Sequence, residues 1–243
     1  MNLKLTSFLL TAAAWAGAAQ PLAHKVILLD AYHNQETKQP SHYRWDATNN
    51  GGFSDLGNLL RGMGAELKTT TEEITSAALV GIDCLIIVDP DTPSESDHPH
   101  YVGLSERKAI AAWVASGGRL LLLGNNEGNA EFRHFNELAR MFGFTFEEST
   151  MDKNGHKAIL TLTGRGSIFD AAPVFYAVDV APITVESKAV KTLLDDKGVP
   201  VMVLVRKRRG LVFGLGDPWI YNEYIHRHDN AAIATKLFTM LLR

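Results

Sequence analysis

Asp89, Asp91, Glu127, His134 and Asp217 are the side chains whose types suit general acid or base work, since carboxyl and imidazole groups exchange protons under mild conditions. Each lies on or beside a loop that follows a short apolar run. The same loops carry a second set suited to binding: His33, Arg44, Trp45, Asp46, Asn125, Asn126, Asn129, Trp219, Tyr221, Asn222 and Glu223. Side chains that donate and accept hydrogen bonds, set beside flat aromatic faces, match a sugar ring with several hydroxyls. Arg44 can pair with the carboxylate of a uronic acid, and Trp45 can stack on a ring. The alternative role of Trp45 is to anchor its loop to the protein body. An oligosaccharide or uronate is the ligand class these residues predict.

Positioning those residues requires strands that end where the loops begin. Lys25–Leu29, Ala65–Lys68, Cys84–Val88, Arg119–Leu123 and Phe144–Glu147 read as strands, and Gly52–Met63, Ser105–Ser116 and Ala130–Phe142 read as helices. Gly52–Met63 places Phe53, Leu56, Leu59, Leu60 and Met63 at helical spacing. Ser105 is the expected cap of the second helix, and Gly117-Gly118 is its stop. Strands alternating with helices predict a parallel sheet covered on both faces. Ligands of such sheets bind beyond the carboxyl ends of the strands, where strand order reverses. That rule selects Asp30, Tyr32 and His33, then Asp89-Pro90-Asp91, then Gly124–Asn129, and late in the chain Gly216–Glu223.

The second half is richer in strands. His156–Thr163, Pro182–Glu186 and Lys191–Leu194 are strand-like, Val199–Val205 and Gly210–Leu215 form a hairpin around Arg206–Arg209, and Asn230–Leu242 is a closing helix. The expected architecture is one doubly wound α/β domain over residues 20–243, mostly parallel, with helices on both faces and an antiparallel β extension in the C-terminal half. The connection Asn34–Gly51, with Ser41-His42-Tyr43-Arg44-Trp45-Asp46, is long for a compact domain and reads as a lid or binding loop.

Composition removes several alternatives. With 46% hydrophobic and 21% charged residues the chain is neither disordered nor fibrous, and a formal charge of −3 gives no basic face for nucleic acid. Met1–Ala19 has the layout of a secretory signal peptide: Lys4, an apolar run to Trp15, then small residues. Its removal deletes Lys4 and no acid, which takes the formal charge to −4. The expected working protein is exported, periplasmic or extracellular, and free of the membrane after cleavage. Cys84 sits within an apolar strand and reads as a small buried hydrophobe rather than a nucleophile. His98-Pro99-His100 and His226-Arg227-His228 lack helical i, i+4 spacing and read as solvated turns. No metal ligand and no cofactor is assigned.

The order of elements around Gly124-Asn125-Asn126-Glu127-Gly128-Asn129 and Gly216-Asp217-Pro218-Trp219 resembles the class I glutamine amidotransferases. That resemblance implies a flavodoxin-like scaffold with a cysteine on the sharp turn after a central strand and a His-x-Glu pair after a late one. Here Asn125 and Asn126 occupy the turn and Asp217-Pro218-Trp219 the late loop, so glutamine hydrolysis is not expected. Lys25–Asp30, His42–Asp46, Val88–Thr92, Gly128–Phe132 with His134-Phe135-Asn136, and Gly216–Tyr224 resemble an uncharacterised amidotransferase-like domain. That domain occurs with bacterial unsaturated rhamnogalacturonyl hydrolases, and it is broadly similar to ThuA-like proteins. The resemblance implies a carbohydrate pathway of pectin type and leaves three functions open. The chain binds such oligosaccharides without covalent catalysis, or hydrolyses or eliminates them by carboxylate and histidine chemistry, or assembles with a glycan-degrading enzyme.

Overall fold

A computed structural model of the protein describes residues 20–38, 42–151, 159–161, 169 and 173–243. The expected leader Met1–Ala19, Ser41 of the long connection, and parts of the expected strand His156–Thr163 lie outside the described residues. None of the described helices is long and apolar enough to cross a membrane.

The elements in chain order are β1 (Val26–Asp30), α1 (Ser54–Gly62), β2 (Glu66–Thr70), β3 (Cys84–Val88), α2 (Leu104–Ser116), β4 (Arg119–Leu123), α3 (Phe132–Arg140) and β5 (Phe144–Phe146). There follow β6 (Ile159–Thr161), β7 (Val174–Tyr176), β8 (Ile183–Val185), β9 (Val190–Asp196), β10 (Val199–Lys207), β11 (Gly210–Leu215), α4 (Asn222–Ile225) and α5 (Asn230–Leu242). The main sheet runs β2-β1-β3-β4-β11-β10-β9, parallel from β2 to β11 and antiparallel through β10 and β9. This is the doubly wound, flavodoxin-like α/β arrangement with an antiparallel extension. β5 pairs with β8 and β6 with β7 in two small antiparallel ribbons.

The apolar runs are continuous because both sheet faces are covered. Successive strand residues point to opposite faces, so Ile27, Leu29, Ile86, Leu121 and Leu123 join one core with residues of α1 and α5, such as Leu56 and Leu237. Leu28, Leu85, Ile87, Leu120 and Leu122 join a second core with Ile110 of α2 and Phe135 of α3. Cys84 is buried in β3, and burial pushes its thiol up, away from the reactive thiolate form.

Some local readings change. α2 starts one residue earlier than expected, with Gly103 at its cap position, and the Glu106 carboxylate rather than Ser105 accepts the Gly103 N–H at 2.8 Å. α3 is shorter than Ala130–Phe142 because the Glu131 side chain caps it, accepting the His134 N–H at 3.0 Å. The sequence reading missed β7 and α4, both too short to display a period. At the end of β11, a Cβ on Gly216 would lie 1.8 Å from the Ala181 carbonyl oxygen, so only glycine lets these backbones approach.

Candidate functional site

β1 connects outward to β2 on one side, and the chain then returns to place β3 on the other side of β1. β1 and β3 therefore flank the strand-order switch, the place where sheets of this kind form a ligand crevice at the carboxyl ends of their strands. Backbone and side chain knit the two loops together there. Asp91 N donates to His33 O at 2.8 Å, and Asp91 Oδ2 accepts the Gln35 and Glu36 N–H groups at 2.8 and 2.9 Å. Asn34 Nδ2 donates to Asp89 O at 2.7 Å.

That knot gathers carboxyl groups from both loops. Oxygens of Glu36, Asp89 and Glu95 lie within 4.8 Å of one another. Asp89 Oδ2 accepts hydrogen bonds from Tyr43 OH at 3.1 Å and Asn125 Nδ2 at 2.8 Å, whereas Asp89 Oδ1 is buried with no partner among the described residues. Glu36 receives the His42 ring and the His42 N–H, both at 2.7 Å. Glu95 Oε2 caps its own turn, accepting the Thr92 N–H and hydroxyl at 2.9 and 2.8 Å. Arg44 donates to the Asn34 and His42 carbonyls and to Asn34 Oδ1, so it braces the loop. Glu36, Tyr43 and Asp89 all adopt left-handed φ values, of 45°, 50° and 46°. Each such residue costs on the order of 1–3 kcal/mol, and strain of this kind concentrates where side chains are aimed for a task.

The electrostatics follow from burial. Desolvation, reinforced by Glu95, pushes Asp89 well above the usual carboxylate range despite its two hydrogen bonds. Desolvation also raises Asp91 and Glu95 against the N–H groups that bind them. The hydrogen bond to Glu36 raises His42 and favours its imidazolium, and burial lowers Arg44. Such a cluster can hold a proton or a cation.

A second buried ionic group stands beside it. His33 is fully buried, with Nδ1 2.7 Å from Asp30 Oδ2 and Nε2 3.4 Å from Glu106 Oε2. Burial opposes its charge most strongly, yet the two carboxylates outweigh that effect and raise its pKa to about 10. His33 thus ties the end of β1 to the start of α2, and its ring has no solvent face to offer a substrate.

The late loop also turns inward. Trp219 is fully buried, 4.9 Å from the Phe175 ring centroid, and provides no open stacking surface. Asp217 is buried against the backbone N–H groups of Val178 and Trp219, and desolvation raises it well above the carboxylate range. Tyr221, half-buried, links this loop to the cluster through a 6.0 Å ring contact with Tyr43. Burial, then Asp217, raises the Tyr221 phenol beyond the ordinary tyrosine range. Asn222 reaches back across the fold: its amide donates to Ala47 O, Asn49 O and Ser54 Oγ, and its oxygen accepts the Asp55 N–H at 3.0 Å. It supplies from a distance the cap that Phe53 cannot give α1. Glu223 N donates to Asn50 O at 3.0 Å. Asn222→Ala is expected to lower stability by about 1–2 kcal/mol and to speed proteolysis within residues 47–55. Urea unfolding and fragment mapping check both outcomes.

The remaining predicted residues are spread more widely. Trp45 is buried and donates to Lys68 O at 3.0 Å, an anchoring contact, and Asp46 is exposed. Asn126 bonds Asn129 within the turn after β4, and Asn129 and Glu127 are exposed. His134 bonds Glu131 and stacks on Tyr101, with centroids 4.7 Å apart. Among the predicted residues, Asp89, Asp91, Asn125 and Arg44 are thus drawn to one place. Glu36, His42, Tyr43 and Glu95 join them. The Thr92-x-x-Glu95 spacing, which lets a carboxylate reach back to the N–H three residues earlier, was a legible signal for Glu95, whereas nothing in the spacing of Glu36 announces its partners. His100 stacks on Tyr32, and His226 bonds Asp55, so neither histidine pair enters the acidic cluster.

No family model and no curated protein matches the sequence. The fold is similar to the mmIFT52 N-terminal domain, with 20% identity, coverage of 89% of this chain and 97% of that one, and a TM-score of 0.72. It is similar to Cytoplasmic Protein STM1381 from Salmonella typhimurium LT2 at 15% identity, 90% and 100% coverage and a TM-score of 0.62. The β-galactosidase from Rahnella sp. R3 matches at 15% identity and a TM-score of 0.56, over 90% of this chain and 30% of that one. Likeness at such identities concerns the scaffold, which hosts many functions.

Proposed function

We propose that this is an exported carbohydrate-pathway protein of the amidotransferase-like type that binds uronate-containing oligosaccharides at the β1/β3 crevice, without covalent catalysis. The observation that carries this reading is Asn125. It stands on the turn after β4 where the related enzymes place a nucleophile, and it commits its amide to Asp89. The half-buried rim of His42, Arg44, Asn125 and Asn126 supplies donors and acceptors for hydroxyls. The Arg44 N–H groups not engaged by Asn34 and His42 suit a uronate carboxylate.

An acid–base enzyme is the second reading, favoured by Asp89, whose carboxyl is raised well above the usual carboxylate range by burial and by Glu95 beside it. Oxygens of Glu36, Asp89 and Glu95 within 4.8 Å of one another fall short of the about 6.5–9.5 Å of an inverting glycosidase and lie near the about 5–5.5 Å of a retaining one, so on this reading a glycosidase would retain configuration.

Calorimetric titration with pectin-derived oligouronates separates the readings. Binding is expected without product release, weakened roughly tenfold by Arg44→Gln for uronates and unchanged for neutral sugars, since a charge-assisted pair is worth about 1.5 kcal/mol or more. Silence across a broad glycan panel overturns the binding reading, and turnover that disappears in Asp89→Asn establishes the enzymatic one.

A further inference from the structure

We propose that Glu36, Asp89 and Glu95 form a site for a hard divalent cation, of the calcium or magnesium class, that bridges the loops after β1 and β3. One carboxylate comes from the first loop and two from the second, and an oxygen from each lies within 4.8 Å of the others. Three oxygens that close together lie no more than about 2.8 Å from a common centre, so side-chain shifts of a few tenths of an ångström bring all three to a calcium–oxygen distance of about 2.4 Å.

A second observation points to a ligand independently of the clustering. Asp89 is only 3% exposed, and its Oδ1 has no hydrogen-bond partner among the described residues, while Oδ2 is occupied by Tyr43 and Asn125. A buried carboxylate oxygen left bare is costly, and an ion is the partner that removes the cost. Protein cations leave the position open. Among the described residues the ion pair of the cluster joins Glu36 to His42, and the hydrogen bonds of Arg44 run to the Asn34 side chain and to the Asn34 and His42 carbonyls rather than to these carboxylates. Glu95 directs Oε2 to Thr92, which leaves Oε1 for a metal. An all-oxygen donor set selects calcium, magnesium or manganese over zinc, which prefers nitrogen and sulfur. Neither histidine pair belongs to this set.

Cation binding stands apart from sugar recognition, because it can be measured with no sugar present. The experiment titrates the full chain, stripped with EDTA, with calcium, magnesium and manganese chlorides by calorimetry and follows thermal unfolding at each concentration. One equivalent is expected to bind with a Kd of about 10⁻⁵–10⁻³ M, and the unfolding temperature is expected to rise with concentration. Glu95→Gln should weaken binding at least tenfold, Asp89→Asn should abolish the thermal response, and the exposed Asp97→Asn should bind as the parent does. Absence of heat and of any thermal shift in the parent chain overturns the proposal. So does parent-like binding by Glu95→Gln, whose fold does not depend on the fate of the Asp89 variant.

Discussion

Replacing His33 with alanine is expected to cost about 3–5 kcal/mol of stability, the loss typical of removing one partner from a buried ionic group. The variant would leave Asp30 and Glu106 facing each other without the imidazolium between them. Asp30 Oδ1 would still accept the Tyr32 N–H, and Glu106 would still accept those of Gly103 and Ile74, so the backbone caps survive and the deficit is chiefly electrostatic. The pH dependence gives a second, independent reading. The folded pKa of His33, about 10, exceeds the unfolded value of 6.5. Its contribution is therefore complete below pH 6.5 and is lost as pH rises through the folded value, at up to about 1.4 kcal/mol per pH unit. Urea unfolding at several pH values should show this alkaline loss in the parent and its absence in His33→Ala. A parent whose stability is flat across that window, or an alanine variant within 1 kcal/mol of it, would remove His33 from this structural role.

Asp89→Asn is expected to act in the opposite direction, raising metal-free stability at neutral pH by about 1–3 kcal/mol. Asparagine keeps an acceptor for Tyr43 OH and Asn125 Nδ2 and removes a charge that burial disfavours. Because the folded pKa of Asp89 lies above its unfolded value, folding is favoured while the group is protonated, and that advantage is lost as pH rises through the folded value. The gain from asparagine should consequently shrink as the pH approaches 4. Denaturant titrations of both proteins at neutral and acid pH, in EDTA, decide the point. A variant less stable than the parent at neutral pH would mean that the Asp89 carboxylate is well solvated or paired in the native protein. Stability gained together with lost ligand response would mark a residue kept for function at the expense of the fold.

Much of the architecture was legible in the amino-acid order. β3 and β4 are unbroken apolar runs because a strand covered on both faces has no side on which to expose polar groups. Periodicity and turn residues likewise announced α1, α2, α5 and the β10–β11 hairpin. From strand ends alone the topological rule drew attention to Asp89, Asp91 and Asn125; Asp89 and Asp91 bond the loop after β1, and Asn125 joins them through Asp89. Residue type proved a poorer guide to which polar groups face solvent.

Trp219 and His33 have the chemistry of binding residues and the burial of structural ones, and Asn222, whose type suits a sugar hydroxyl, spends its amide on the loop that precedes α1. Composition and spacing report what a side chain can do, and local periodicity reports which way a strand or helix faces. Which groups meet across long chain separations depends on how the crossovers close over the sheet. Glu36 finds Asp89 and Glu95 because the β1 and β3 loops converge at the strand-order switch. A doubly wound sheet with polar strand-end loops follows from the order of amino acids alone. Tertiary structure decided which acids lose their water together, and desolvation is the physical reason that cluster stands out as a site.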